Sequence, residues 1–144
     1  MKARITAITH RGSVRDHNED CVGWGGWAFT GEITRPISVV VDVVAPVVVA
    51  VCDGMGGHAG GETASRLAAT LVGGLPAEPA PSEDSLRVLL QRTSDAINDA
   101  ADKQPDLAGM GSTVVGLVIY PDGHVLVFNV GDSRCYRVEG RYLA

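Results

Sequence analysis

Val47-Val48-Val49-Ala50-Val51-Cys52-Asp53-Gly54-Met55-Gly56-Gly57-His58-Ala59-Gly60-Gly61-Glu62 is the stretch on which the fold turns. Its first six residues are β-branched or small and apolar, the composition of a buried strand. Residues 53–61 then carry five glycines in nine positions, a loop where backbone can come close to something else. A helix follows at once: Ala64, Leu67, Ala68, Leu71 and Val72 share one face, and Gly73-Gly74 ends it. A strand, a glycine loop and a helix admit two readings. Gly54, Gly56 and Ala59 match the spacing of a dinucleotide-binding turn. Against it, Asp53 would repel a pyrophosphate, and the next element reads as a second helix rather than the strand that would carry a ribose-binding acid. A P-loop fails too, because no Lys precedes a Ser or Thr at the required offset. The other reading makes Asp53 a metal ligand at a strand end, with glycines that let carbonyls and water approach a hard cation such as magnesium or manganese.

Upstream, residues 3–9 read as an opening strand, 10–20 as a polar loop, 21–29 as a strand given bulk by Trp24 and Trp27, 31–36 as a turn, and 38–44 as a strand joined to the next one at Ala45-Pro46. The apolar run Ile37–Cys52 has nine valines in 16 residues, but Asp42 and Pro46 interrupt it, so it is too short and too broken to span a bilayer. Downstream, Ser82 is a helix N-cap with Glu83 and Asp84 in the first turn. Leu86, Leu89, Leu90, Thr93, Ile97, Ala100 and Ala101 trace one face of a helix ending near Lys103, before Pro105. Strands are expected at 112–120 and 124–130 about a turn at Pro121-Asp122-Gly123. Another is expected at 135–138, then a turn at Glu139-Gly140 and the start of a further strand at 141–144. Strands, two consecutive helices, then strands make an α+β pattern in one domain, with the two helices packed together on one face.

The 144 residues carry 12 Lys+Arg against 17 Asp+Glu, a net charge of -5, which argues against a broad grip on nucleic acid or an anionic membrane. Aromatics are only 5%, so the core must be built from Val, Leu, Ile and Ala. Cys21, Cys52 and Cys135 are odd in number and widely spaced; they form neither a disulfide framework nor a zinc site, and Cys52 reads as a small buried strand residue. No apolar stretch follows the charged N-terminus as in a signal peptide. A reducing, cytoplasmic setting is the expectation.

Other acids stand at suggestive places. Glu19 and Asp20 are adjacent and follow Arg15; Asp132 lies at a strand end. A single such carboxylate is ordinarily a solvated turn residue, but these occur with specific neighbours. Arg15-x-x-Asn18-Glu19-Asp20, then Asp53-Gly54-Met55-Gly56-Gly57-His58-Ala59-Gly60-Gly61-Glu62, then Gly111-Ser112-Thr113, then Val130-Gly131-Asp132-Ser133-Arg134 resemble, in order, the N-terminal motifs of the bacterial metal-dependent protein serine/threonine phosphatases, the PPM or type 2C family. The resemblance covers nearly the whole chain, as the N-terminal portion (1–144) of a single phosphatase domain. It implies an α-β-β-α sandwich, incomplete because the C-terminal half is missing.

The resemblance also implies roles. Asp53 would bridge two manganese or magnesium ions, with the Gly54 carbonyl on one of them. Glu19 and Asp20 would reach the metals directly or through their waters, and Asp132 would serve a third, weaker metal. Arg15 would bind the substrate phosphate, for which a bidentate guanidinium is suited, and His58 would be the general acid. The family catalyses hydrolysis of phosphoserine and phosphothreonine in proteins, which implies phosphoprotein substrates and a cognate kinase. Family members carry further metal-binding aspartates in a Ser-Asp-Gly and a later Asp-Asn segment, and neither is in this sequence. The expectation is therefore a truncated form, weak or inactive alone; the alternative is a non-catalytic remnant or binding module keeping part of the fold. Either way Asp53, Glu19, Asp20 and Asp132 should converge on one acidic cleft, with Arg15 at its rim.

Overall fold

The computed structural model describes residues 1–143; the side chains of His58 and Leu143, and all of Ala144, lie outside the described residues. The valine-rich run forms β5 (Val47–Met55), the central strand of a six-stranded antiparallel sheet. On one side β5 pairs with β2 (Asp20–Trp24), which pairs in turn with β3 (Trp27–Phe29). On the other side lie β7 (Val114–Ile119) and then β8 (Val125–Val130), while the short β6 (Gly111–Ser112) pairs with the end of β5. β1 (Lys2–Thr9) and β4 (Ile33–Asp42) form a separate antiparallel pair. Between the two sheets is a cavity of about 100 Å³ lined by Ile5, Ala7, Val22, Trp24, Val39 and Val49, so the second sheet lies over one face of the first.

The opposite face carries the helices. Helix α1 (His58–Gly73) buries Ala64, Ser65, Ala68, Ala69 and Val72. These small residues bring the helix backbone down onto the sheet: a Cβ added at Gly23 of β2 would sit 2.4 Å from the Ala69 carbonyl oxygen. A core poor in aromatics closes by this close approach instead of by large side chains. Helix α2 (Glu83–Lys103) packs on α1 through Leu86, Thr93 and Ile97. Its start is the expected one: the Ser82 hydroxyl accepts from the Ser85 N–H at 3.2 Å, and the Ser85 hydroxyl accepts from the Ser82 N–H at 2.8 Å. The layers run helices, six-stranded sheet, two-stranded sheet, the α+β class expected from the sequence.

Four local expectations are revised. Residues 21–29 are two strands, not one: Gly25 and Gly26, at φ 57° and 80°, make the two-residue turn that sets Trp24 opposite Trp27. The expected turn at 31–36 is mostly strand, since β4 begins at Ile33; Pro36 is tolerated there because the β1–β4 register is irregular between Ala7 and Thr9 and, among the described residues, β4 pairs on one side only. β5 runs on to Met55, held by β6. Residues 135–137 are not strand; β9 (Val138–Glu139) and β10 (Tyr142–Leu143) form a small hairpin about Gly140. Ser133 is tied back to the sheet, its carbonyl accepting from Asn129 Nδ2 at 2.8 Å, and the chain leaves the sheet there.

Candidate functional site

The register of β2 on β5 places Asp20 directly opposite Asp53. One step along the ladder, Cys21 faces Cys52, and both are fully buried. The acids therefore sit where the ladder passes from core to surface. β6 closes the other side of β5, with Gly54 opposite Ser112. The Asp53 backbone is held twice over: its N–H donates to Thr113 Oγ1 at 3.1 Å, and its carbonyl accepts from the Thr113 N–H at 2.9 Å and the Ser112 hydroxyl at 3.2 Å. Thr113 Oγ1 lies 2.6 Å from Ser133 Oγ, so the segment containing Asp132 is fastened to the strand that carries Asp53.

Helix α1 meets the same strand end at closest approach. A Cβ on Gly54 would lie 2.0 Å from the Gly61 carbonyl oxygen and 2.8 Å from that of Glu19, so no side chain fits between strand, loop and helix. The Gly54 N–H donates to the Glu19 carbonyl at 3.2 Å. Gly61 in turn packs against the Glu19 carboxylate, where an added Cβ would be 2.7 Å from Cδ. The glycine loop serves here to let Glu19, Gly54 and helix α1 share one small space.

The loop before β2 supplies the rest. Asn18 pins it, donating to Thr9 Oγ1 at 2.7 Å and to the Gly31 carbonyl at 2.6 Å, while its Oδ1 accepts from the Asp20 N–H at 3.2 Å. The Glu19 side chain is only 9% exposed; Arg15 Nη1 lies 3.7 Å from its Oε2, and the Arg15 side chain is itself 70% exposed. His17 stands between two acids, with Nε2 at 2.8 Å from Glu19 Oε1 and Nδ1 at 2.7 Å from Asp16 Oδ1. Each ring nitrogen thus faces a carboxylate, and the bonds to Glu19 and then Asp16 raise the His17 pKa above the ordinary 6.5.

Asp20 is raised above the ordinary carboxylate value. Burial is the main cause, followed by the Asp53 charge and a hydrogen bond shared with Asp53, partly opposed by Arg15. Two acids facing each other in this way are relieved by a cation, and the donors on hand are all oxygens: the Asp20, Asp53 and Glu19 carboxylates and the Gly54 carbonyl. That set fits a hard divalent ion. Among the described residues no three His, Cys, Asp or Glu side chains come close enough together to enclose an ion. The structure brings Arg15, Glu19, Asp20, Asp53 and Gly54 together in pairs: Asp20 opposite Asp53, the Gly54 N–H on the Glu19 carbonyl, and Arg15 beside the Glu19 carboxylate. Asp132 is linked to them through Ser133 and Thr113, not by a contact of its own carboxylate. His58 opens α1 beside the site, but its side chain lies outside the described residues.

Two further contributors are visible chiefly in the fold. The one local signal for His17 is its alternation with Arg15 and Glu19, which puts three charged or polar side chains at every second position. The double link of Thr113 to Asp53 depends on the β5–β6 pairing, which no local pattern announces. Cys52 is the small buried strand residue expected, and Cys21 opposite it is buried as well: burial pushes the Cys21 thiol up to about 11 and the Cys52 thiol up to about 12.

Residues 37–144 match the family model described as Protein phosphatase 2C. The chain is 33% identical over 141 residues to the serine/threonine phosphatase stp of Listeria monocytogenes, covering 94% of this chain and 50% of that protein. It is similar in structure to the serine/threonine phosphatase PstP/Ppp of Mycobacterium tuberculosis, with a TM-score of 0.68 and 26% identity over 100% of this chain and 52% of that one. The serine/threonine phosphatase of Staphylococcus aureus gives a TM-score of 0.65 and 26% identity over 99% and 51%. The chain spans about half the length of the relatives to which it is similar.

Proposed function

The chain belongs to the protein phosphatase 2C family, and from that premise we propose that it is the N-terminal portion of one metal-dependent phosphatase domain that hydrolyses phosphoserine and phosphothreonine in proteins. The observation that carries this reading is the Asp20–Asp53 pair across the β2–β5 ladder, with the Glu19–Arg15 pair beside it. Asp53, Asp20, Glu19 and the Gly54 carbonyl would hold a binuclear manganese or magnesium centre. Asp132, fastened through Ser133 to the Asp53 strand, would serve a third ion. When bound, the metals supply the Lewis acidity that makes water a nucleophile at neutral pH and screen the charge on phosphate.

The remaining chemistry belongs to this chain's own residues. Arg15 is exposed and only loosely paired, so its guanidinium is free to turn to two phosphate oxygens. Glu19 and Asp20 orient water and cation, and the paired backbone of Asp53 keeps its carboxylate from drifting with the loop. His58, at the start of α1, is proposed as the proton donor to the leaving alkoxide. No helix among the described residues is long and apolar enough to cross a membrane; we place the protein in the cytoplasm with phosphoprotein substrates and a cognate kinase.

A non-catalytic module is the second reading, and it is favoured by the lack of an enclosing set of three ligands among the described residues. Phosphate release from a phosphothreonine peptide separates the two. The chain alone should turn over feebly with manganese, and a fusion to the C-terminal half of the Listeria relative should be active and lose activity on Asp53→Ala. A fusion that is folded and inactive, or one indifferent to Asp53→Ala, would refute the catalytic reading.

A further inference from the structure

We propose that His17 is a positioning residue of this site: its Nε2 fixes the Glu19 carboxylate, and through Glu19 it sets where the Arg15 guanidinium rests. The inference builds on the metal-dependent reading above. Glu19 is nearly buried, so each of its oxygens needs a partner. The two partners differ in kind. Oε1 is bound at 2.8 Å by His17, a planar ring whose other nitrogen is anchored on Asp16 at 2.7 Å. Oε2 has Arg15 at 3.7 Å, from a side chain that is mostly exposed. The better-held member of this set is therefore the imidazole, 26% exposed and bonded directly to Glu19, and the looser one is the guanidinium.

Packing leaves Glu19 few alternatives. The Gly61 backbone blocks the carboxylate on the helix side, where even a Cβ would lie within 2.7 Å. Turning the carboxylate plane about the last side-chain bond would break the short bond to His17, which opposes the turn. With one oxygen held on His17, the other stays on the Arg15 side. An acid beside a cation site gains from such an anchor, because a neighbour that fixes a ligand's orientation typically changes metal affinity by about 10–100-fold. The anchor lies in the loop before β2, and Asn18 holds that loop to Thr9 and Gly31, so His17 has a fixed base from which to act.

The two ring nitrogens make the test specific. In His17→Gln the side-chain amide nitrogen can take the place of Nε2 and still reach Glu19; in His17→Asn it takes the place of Nδ1 and reaches only Asp16. The full chain and its His17→Gln, His17→Asn and His17→Ala variants are compared in two measurements. In EDTA, the 13C shift of the Glu19 side-chain carboxyl should move in His17→Ala and His17→Asn and stay near wild type in His17→Gln, with urea midpoints similar throughout. In a manganese titration followed by the EPR signal of free ion, His17→Ala and His17→Asn should bind about 10-fold more weakly, and His17→Gln should recover most of the loss. A Glu19 shift unmoved in His17→Ala, or Gln and Asn variants that behave alike, overturns the proposal. Should wild type fail to bind manganese, or bind it equally after Asp53→Asn, the metal-dependent reading falls, and the Glu19 shift still decides the role of His17.

Discussion

Asp20→Asn should stabilise the metal-free protein and weaken its response to manganese. Asp20 and Asp53 are directly opposed on an antiparallel ladder, a position where Cβ atoms stand about 4.5–5.5 Å apart. Two unit charges about 4 Å apart repel by about 1 kcal/mol in water and about 4 kcal/mol at an effective dielectric of 20. Asp53 is exposed and Asp20 half-buried, so the lower end applies. A gain of about 1 kcal/mol corresponds to roughly 3–5 °C in Tm for a chain of this size. The sign with pH follows from the raised Asp20 acid. The folded state binds that proton more tightly than the unfolded state, so wild-type stability falls as pH rises from the ordinary 3.8 through the raised folded value, and stays lower above it. The advantage of the Asn variant should therefore be full at pH 7 and shrink towards pH 3.5. Manganese acts in the opposite direction. At 100 times its Kd a ligand adds about 2.7 kcal/mol, and the wild type should gain more of this than the variant. Urea midpoints at the two pH values, in EDTA and in manganese, measure all four quantities. An Asn variant less stable than wild type in EDTA at pH 7, or one with the same manganese gain, would refute the electrostatic account of the pair.

Glycine substitutions around the site should separate backbone clashes from side-chain ones. Gly54→Ala drives a methyl into the Gly61 and Glu19 carbonyls and should cost about 3 kcal/mol or more, read as loss of a cooperative urea transition. Gly61→Ala meets the end of the Glu19 side chain first, not backbone, and gains about 1 kcal/mol of helix propensity, so it should fold with the Glu19 carboxylate forced out of its place and bind manganese more weakly. Reaction with an aromatic disulfide reagent at pH 8 should titrate one thiol quickly, the exposed Cys135, and all three only in denaturant, because burial holds Cys21 at about 11 and Cys52 at about 12. Ser82→Ala removes the hydroxyl that accepts from the Ser85 N–H and leaves the bond from the Ser82 N–H to the Ser85 hydroxyl in place; it should lower stability by about 1 kcal/mol without changing manganese affinity.

How far the fold can be read from the sequence depends on how local the cause is. Both helices were legible because their signals lie within a few residues: an apolar face at helical spacing, Ser82 as cap, Gly74 and Pro105 as stops. The β2–β3 hairpin was equally local, in Trp24-Gly25-Gly26-Trp27, and the bulk of the two tryptophans obscured the turn between them. The strand β4 was harder. Pro36 marks a turn in most settings, and only the one-sided pairing of β4 with β1 makes it acceptable within a strand. That fact belongs to the tertiary arrangement. The segment 135–137 has strand-like composition but, among the described residues, no neighbouring strand to pair with.

The site follows the same division, with one link that joins the two levels. Arg15, Glu19, Asp20 and Asp53 could be singled out as residues, yet nothing near Asp20 in the chain says that it faces Asp53. The core says it. Cys21 and Gly23 of β2 and Ala50 and Cys52 of β5 point inward against α1, with Gly23 in contact with Ala69, and a slip of one residue would turn all of them to the other face. With Cys21 fixed opposite Cys52, the next pair outward can only be Asp20 and Asp53. The acid pair is thus a consequence of how small residues pack beneath it. A change in the buried register would break the site before any of its acids was altered. Asp132 lacks such a constraint: it follows β8 in a turn, and its tie to the others runs through Ser133 and Thr113. That is why its motif could be recognised while its place relative to the other acids could not be derived from the strand pattern.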